Sequence, residues 1–235
     1  MKTIGLIGGM SWESTASYYR LINQAVQARL GGLHSAPLLL HSVDFAGIER
    51  LQRAGDWDAA GAQLAQAARG LQAAGAEVLL ICANTMHKVA PAIESAVQIP
   101  LLHVVDATAA AVRQAGVQRV GLLGTRFTME QLFYVERLQQ QGLTVLLPYA
   151  DDRALVHRVI YEELCQGRIL DRSRADYRRV MAALVAQGAT GIILGCTEIA
   201  LLVDATDATV PLFDTTELHA QAAVDWALAA DAAIG

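Results

Sequence analysis

The residues most able to do chemistry stand where two apolar runs break into small polar side chains. One is Leu194-Gly195-Cys196-Thr197-Glu198 and the other is Ile81-Cys82-Ala83-Asn84-Thr85, with His87 just beyond. A strand that ends this way and passes into a helix leaves backbone N–H groups unpaired, and these suit a carboxylate. Asn84, Thr85 and Thr197 are the candidate carboxylate holders. A thiol at a helix N-terminus is expected to ionise more readily than usual. Cys196 is therefore read as a thiolate or a poised acid, able to move a proton to or from carbon. His87 can donate to Cys196 or to a substrate, or simply pack or cap as a lone helix histidine. Glu198 can orient the imidazole or the thiol, or serve only as a favourable first-turn carboxylate.

The elements that must carry these residues follow from the pattern. Strands are expected at 3–7, 37–43, 78–82, 101–104, 119–123, 144–147, 191–194 and 210–213. Between them run alanine-rich helical segments such as 57–73, where Trp57, Ala60, Leu64, Ala67 and Leu71 recur at helical spacing before Gly75. Strand alternating with helix implies parallel sheets with crossover helices, whose ligands sit beyond the C-terminal strand ends. The run from Leu71 to Thr85 parallels the run from Leu184 to Glu198 without a gap, and Gly5-Leu6-Ile7-Gly8 parallels Gly121-Leu122-Leu123-Gly124. Two matching pairs in the same order favour a duplication. The expected architecture is α/β: two pseudo-symmetric Rossmann-like halves, parallel sheets flanked by helices, and an active site between the halves. Residues 1–100 form the first half, completed by 209–235, and residues 101–208 form the second.

The 235 residues are 54% hydrophobic and 17% charged, enough apolar content for a substantial core. The net charge of −5 and the lack of a Lys/Arg run argue against a nucleic-acid partner. No apolar run approaches a membrane span. Cys82, Cys165 and Cys196 are too few and too scattered for a disulfide framework, which suits a reducing, cytoplasmic setting. The histidines show no metal-ligand spacing. The first glycine run lacks the spacing of a dinucleotide fingerprint.

Several segments together resemble the aspartate/glutamate racemase family, in its bacterial aspartate and broad-specificity branch. They are Gly5 to Thr15, His41 to Phe45, Asn84-Thr85-Met86-His87-Lys88, Gly121 to Thr125, Gly195 to Glu198 and Phe213-Asp214-Thr215. The resemblance implies a cofactor-independent isomerase without pyridoxal phosphate or metal, and usually a homodimer. Its substrate is a small amino acid, most probably aspartate or glutamate in kind, whose α-proton is exchanged by two residues on opposite faces. It makes Cys196 one acid/base. It also implies that Met10 lines the pocket (or merely begins a helix, as Ser11 and Thr125 do) and that Gln52 contacts the substrate side chain or is an exposed helix residue. Some relatives carry a basic residue near Cys165-Gln166; this chain has none at Gln166.

One position departs from the family. The residue before Asn84-Thr85 is usually a cysteine, or a threonine in some relatives, and here it is Ala83. Cys82 lies one residue early, and side chains alternate along a strand, so Cys82 is expected to point away. The first catalytic position is then missing or replaced, unless a bulge brings Cys82 round. The alternatives are a single-cysteine decarboxylase or isomerase of a dicarboxylate, or a non-catalytic relative.

Overall fold

A computed structural model describes residues 1–229. The chain divides into two compact units, Met1–Val104 with the chain from His219 on, and Val105–Leu218.

The first unit contains β1 (Ile4–Gly8), α1 (Trp12–Leu30), β2 (Leu38–Ser42), α2 (Phe45–Ala54), α3 (Trp57–Ala73), β3 (Val78–Ile81), a 3-10 turn at Thr85–Val89 and α4 (Ala90–Glu94). Its parallel sheet has the order β2-β1-β3. The second unit contains α5 (Val104–Gln114), β4 (Arg119–Gly124), α6 (Arg126–Glu130), α7 (Leu132–Gln140), β5 (Thr144–Leu146), α8 (Ala150–Glu162), α9 (Asp171–Ala186), β6 (Gly191–Gly195) and β7 (Leu212–Asp214). Its parallel sheet has the order β5-β4-β6-β7. The chain ends its described part in α10 (Thr215–Ala229).

Alternation along β3 sorts the core of the first unit into two layers. Leu79, Ile81 and Ala83 join Ile7 and Met10 under α2 and α3, against Ile48, Leu64 and Leu71. Val78, Leu80 and Cys82 join Ile4 and Leu6 on the other face, against Tyr18, Ile22 and Val26 of α1 and Ala223, Val224 and Ala227 of α10. Both faces are covered, so β3 is apolar along its whole length, as a central parallel strand must be.

The internal repeat holds down to pairing register. Gly5 lies opposite Leu79 in the first sheet, and Gly121 lies opposite Ile192 in the second. Each glycine is required by the same close approach: a Cβ on Gly5 would stand 2.8 Å from a Leu79 methyl, and one on Gly121 would stand 2.7 Å from a methyl of Ile192. Helix starts match as well. Ser11 caps α1 by accepting the Ser14 N–H, and Thr125 caps α6 by accepting the Thr128 N–H. Each cap is worth about 1 kcal/mol.

Two sequence expectations are corrected. The segment 101–104 is not a strand; Leu101 makes a single parallel bridge to Leu79, and helix α5 begins at Val104. The last strand, expected to complete the first half with the last helix, pairs instead with β6 in the second sheet. Only the helix packs on the first sheet. The reason lies in the repeat itself. Pro100-Leu101-Leu102 bonds to Leu79 as Pro211-Leu212 bonds to Ile192, through Leu79 N–H to Pro100 O and Ile192 N–H to Pro211 O, both 2.9 Å. Each sheet therefore has its own outer edge segment.

Gly5→Ala should destabilise the protein by about 1–3 kcal/mol, the usual penalty of overpacking a tight core. The shift in urea midpoint at unchanged slope measures it.

Candidate active site

In the second unit, β6 delivers Cys196 beyond its last residue, buried with only 8% exposure. The thiol donates to Glu198 Oε2 at 3.0 Å, and the Thr197 hydroxyl donates to the same oxygen at 2.7 Å. Glu198 is itself buried. No α-helix starts here. The chain enters a short 3-10 turn at Ile199–Leu201. The expected helix field that would favour a thiolate is therefore absent. Burial holds the Cys196 thiol well above its ordinary value, and the charge of Glu198 adds to that; the Glu198 backbone N–H opposes it more weakly. Cys196 rests as a neutral thiol on a carboxylate, which corrects the thiolate expectation. Cys165, in a 3-10 turn at Leu164–Gln166, also interacts with it electrostatically, and the buried Tyr177 of α9 feels its charge.

In the first unit, β3 delivers Ala83 at the equivalent position, also 8% exposed. Asn84 and Thr85 follow and are buried as they enter the 3-10 turn at Thr85–Val89. Met10 and Met86 lie in the same apolar layer as Ala83. Gln52, at the end of α2, is buried rather than exposed. Its Nε2 points to Met86 Sδ at 2.9 Å, and its Oε1 is buried with no hydrogen-bond partner. The fold thus gathers Met10, Gln52 and Ala83 on one side of the first sheet. Cys82 is fully buried in the opposite layer, where Ser14 Oγ donates to its carbonyl at 2.8 Å and burial pushes its thiol up. No bulge brings it round.

His87 has a structural task. Its Nδ1 bonds the Ala83 carbonyl at 2.9 Å, and its Nε2 accepts the Val104 N–H at 3.2 Å. A nitrogen that accepts must be unprotonated, so Nδ1 carries the proton and donates to Ala83. Burial lowers its pKa well below the ordinary value, helped by His103 and His219. His219 is similarly held: Tyr18 OH bonds its Nδ1 and its Nε2 bonds the Leu102 carbonyl, each at 2.8 Å, and burial takes its pKa down to about 4.

Sequence reasoning passed over two residues. His103 stacks 4.5 Å from His87, centroid to centroid. Asp214 ends β7 opposite Leu194, and burial raises its carboxyl pKa. The signal was available: Pro100-Leu101-Leu102-His103 and Pro211-Leu212-Phe213-Asp214 extend the repeat and end on a titratable residue in each half. Among the described residues, no helix is long and apolar enough to cross a membrane.

The Asp/Glu/hydantoin racemase family model matches residues 7–223. The chain belongs to that family, whose racemases are isomerases. It is 60% identical to a solved structure from Yersinia pestis whose own assignment as an Asp/Glu racemase is provisional, over 97% of this chain and 100% of that one, with a TM-score of 0.92. It is 32% identical to an aspartate racemase homologue from Pyrococcus horikoshii OT3, over 97% and 99% of the two chains, with a TM-score of 0.85. It is also 22% identical to the broad specificity amino-acid racemase RacX of Bacillus subtilis, over 96% of this chain and 98% of that protein.

Two measurements test this geometry. Replacing Glu198 by Gln removes a repelling charge and should lower the Cys196 pKa. In a Cys165→Ala background, ultraviolet thiolate absorbance should then rise at a lower pH than in the parent. The buried histidines are neutral when folded but titrate near 6.5 when unfolded. Between about 6.5 and His219's value of about 4, the unfolded chain binds more protons. Stability should be complete above 6.5 and fall as pH drops through that window, read as a falling urea midpoint that His219→Gln makes less steep.

Proposed function

We propose that the protein is a cofactor-independent amino-acid racemase acting on aspartate or glutamate, with Cys196 carrying one of the two proton transfers. The observation that carries this is the Cys196 thiol hydrogen-bonded to the buried Glu198 carboxylate. A thiol kept neutral is ready to protonate a planar carbanion. In the reverse direction Glu198 accepts the thiol proton as sulfur turns to the substrate. The thiolate so formed is strongly basic because its pKa is raised, which suits abstraction from a weakly acidic Cα–H.

Asn84, Thr85 and Thr197 hold the α-carboxylate in this reading. The partnerless Gln52 Oε1 is an acceptor, and a substrate ammonium or amide N–H would satisfy it. Met10 lines the apolar side. The free cysteines fit a reducing cytoplasm, and a homodimer belongs to the same reading.

Ala83 favours a second reading. A methyl group cannot exchange a proton, and a single thiol is enough to protonate the carbanion left when a dicarboxylate loses CO₂. Decarboxylation therefore stands as the alternative.

Incubation with D- and L-aspartate and D- and L-glutamate in D₂O, without cofactor, should exchange the α-hydrogen. Cys196→Ala should reduce exchange by about 10²-fold or more, the usual size of a general acid–base contribution. Ala83→Cys should raise racemisation above the parent. No exchange across the panel, with CO₂ release from malonate-type acids that Cys196→Ala abolishes, would transfer the assignment to the second reading.

A further inference from the structure

We propose that His103 is the acid/base group that serves the Ala83 strand end in place of the missing thiol. The inference rests on the racemase reading above.

Its first support is position. Leu101 bridges Leu79 in parallel, so extending that register sets His103 level with Ile81, one side-chain alternation before Ala83. In the second sheet Asp214 lies opposite Leu194, one alternation before Cys196. The fold thus places a titratable residue beside each of the two equivalent strand ends.

The second support is how the backbone around His103 is held. His219, braced by Tyr18 of α1, donates to the carbonyl of Leu102, the residue before His103. His87 accepts the N–H of Val104, the residue after it. The same His87 ring donates to the Ala83 carbonyl, so one imidazole ties Ala83 to the peptide beside His103. Neighbouring histidines fix His103 on both sides and connect it to the position that lacks an acid/base.

The third support is the division of roles within the cluster. His87 and His219 each spend one nitrogen donating to a backbone carbonyl and the other accepting, from a backbone N–H or from Tyr18. Protonating either ring would break an accepted hydrogen bond in a buried site. The groups known to face the cluster are His87 from the 3-10 turn, His219 from α10 and Tyr18 from α1. A proton gained by the cluster therefore settles on His103.

The step balances without a further reagent. An imidazole nitrogen of His103 takes the α-proton and becomes imidazolium. The C–H electron pair passes into the planar carbanion conjugated with the substrate carboxylate. Cys196 gives its thiol proton to the opposite face of the α-carbon, and exchange with solvent returns thiolate and imidazolium to their resting forms. In the other direction the two groups exchange roles.

The test compares the parent, His103→Gln, Ala83→Cys/His103→Gln and Cys196→Ala for α-hydrogen exchange of the four aspartate and glutamate enantiomers in D₂O, across pH 5–9. The expected result is at least a tenfold loss in His103→Gln and its recovery in the double variant. The limb of the pH profile near the histidine range should vanish on recovery. Rescue by a thiol at position 83 needs a folded chain, so lost stability cannot mimic it; His103→Asn repeats the measurement if glutamine is not accommodated. Exchange in His103→Gln equal to the parent overturns the inference while the Cys196 reading stands. A folded His103→Gln that stays silent when Ala83→Cys is added also overturns it. A parent that exchanges none of the four substrates overturns both.

Discussion

Parallel pairing fixes where every chemically able side chain of this protein points. Once β1 and β3 lock in the register that sets Ile7 beside Ile81, the period of two decides the rest. Leu79, Ile81 and Ala83 face α2 and α3, and Cys82 faces α1 and α10. Turning Cys82 round would need a one-residue slip that also inverted Val78 to Ile81, moving a whole row of buried side chains to the wrong layer. The cost of that inversion far exceeds any catalytic benefit from a second thiol. The glycines opposite Leu79 and Ile192 make the same register permissible, because any side chain there would hold the strands from their neighbours.

The two strand ends have diverged from one plan. The second unit retains a thiol, a hydroxyl and a carboxylate in one hydrogen-bonded group. The first retains the buried Asn84 and Thr85 but has a methyl where the thiol would be. Around that methyl it has accumulated histidines: His87 under the Ala83 carbonyl, His103 against His87, and His219 behind them. The edge segments diverged in parallel. One kept a paired strand, β7, and the other shrank to the single bridge at Leu101 before turning into helix.

Much of this was legible in the residues. Alternating apolar and alanine-rich runs are enough to give α/β layers, and helix α3 ends where its spacing breaks at Gly75. The gapless repeat located both strand ends, and strand phase alone turned Cys82 away from Ala83. Three things were not legible. Whether an apolar segment such as 101–104 pairs as a strand or passes into helix depends on tertiary contacts that a local pattern does not encode. The protonation of Cys196 depends on burial and on Glu198 rather than on the sequence near it, and a 3-10 turn replaced the helix on which the thiolate expectation relied. Gln52 looked equally suited to solvent, because helical periodicity does not say which face an adjoining layer will cover.

Holding Cys196 as a neutral thiol has a consequence for chemical durability. Peroxides and alkylating agents attack sulfur as thiolate, so a thiol shielded by burial and by a neighbouring negative charge is a poor target for them. The group that carries the proton is thereby kept off the path to sulfenic acid while it waits. The carboxylate that suppresses its ionisation at rest also acts as its guard against oxidation.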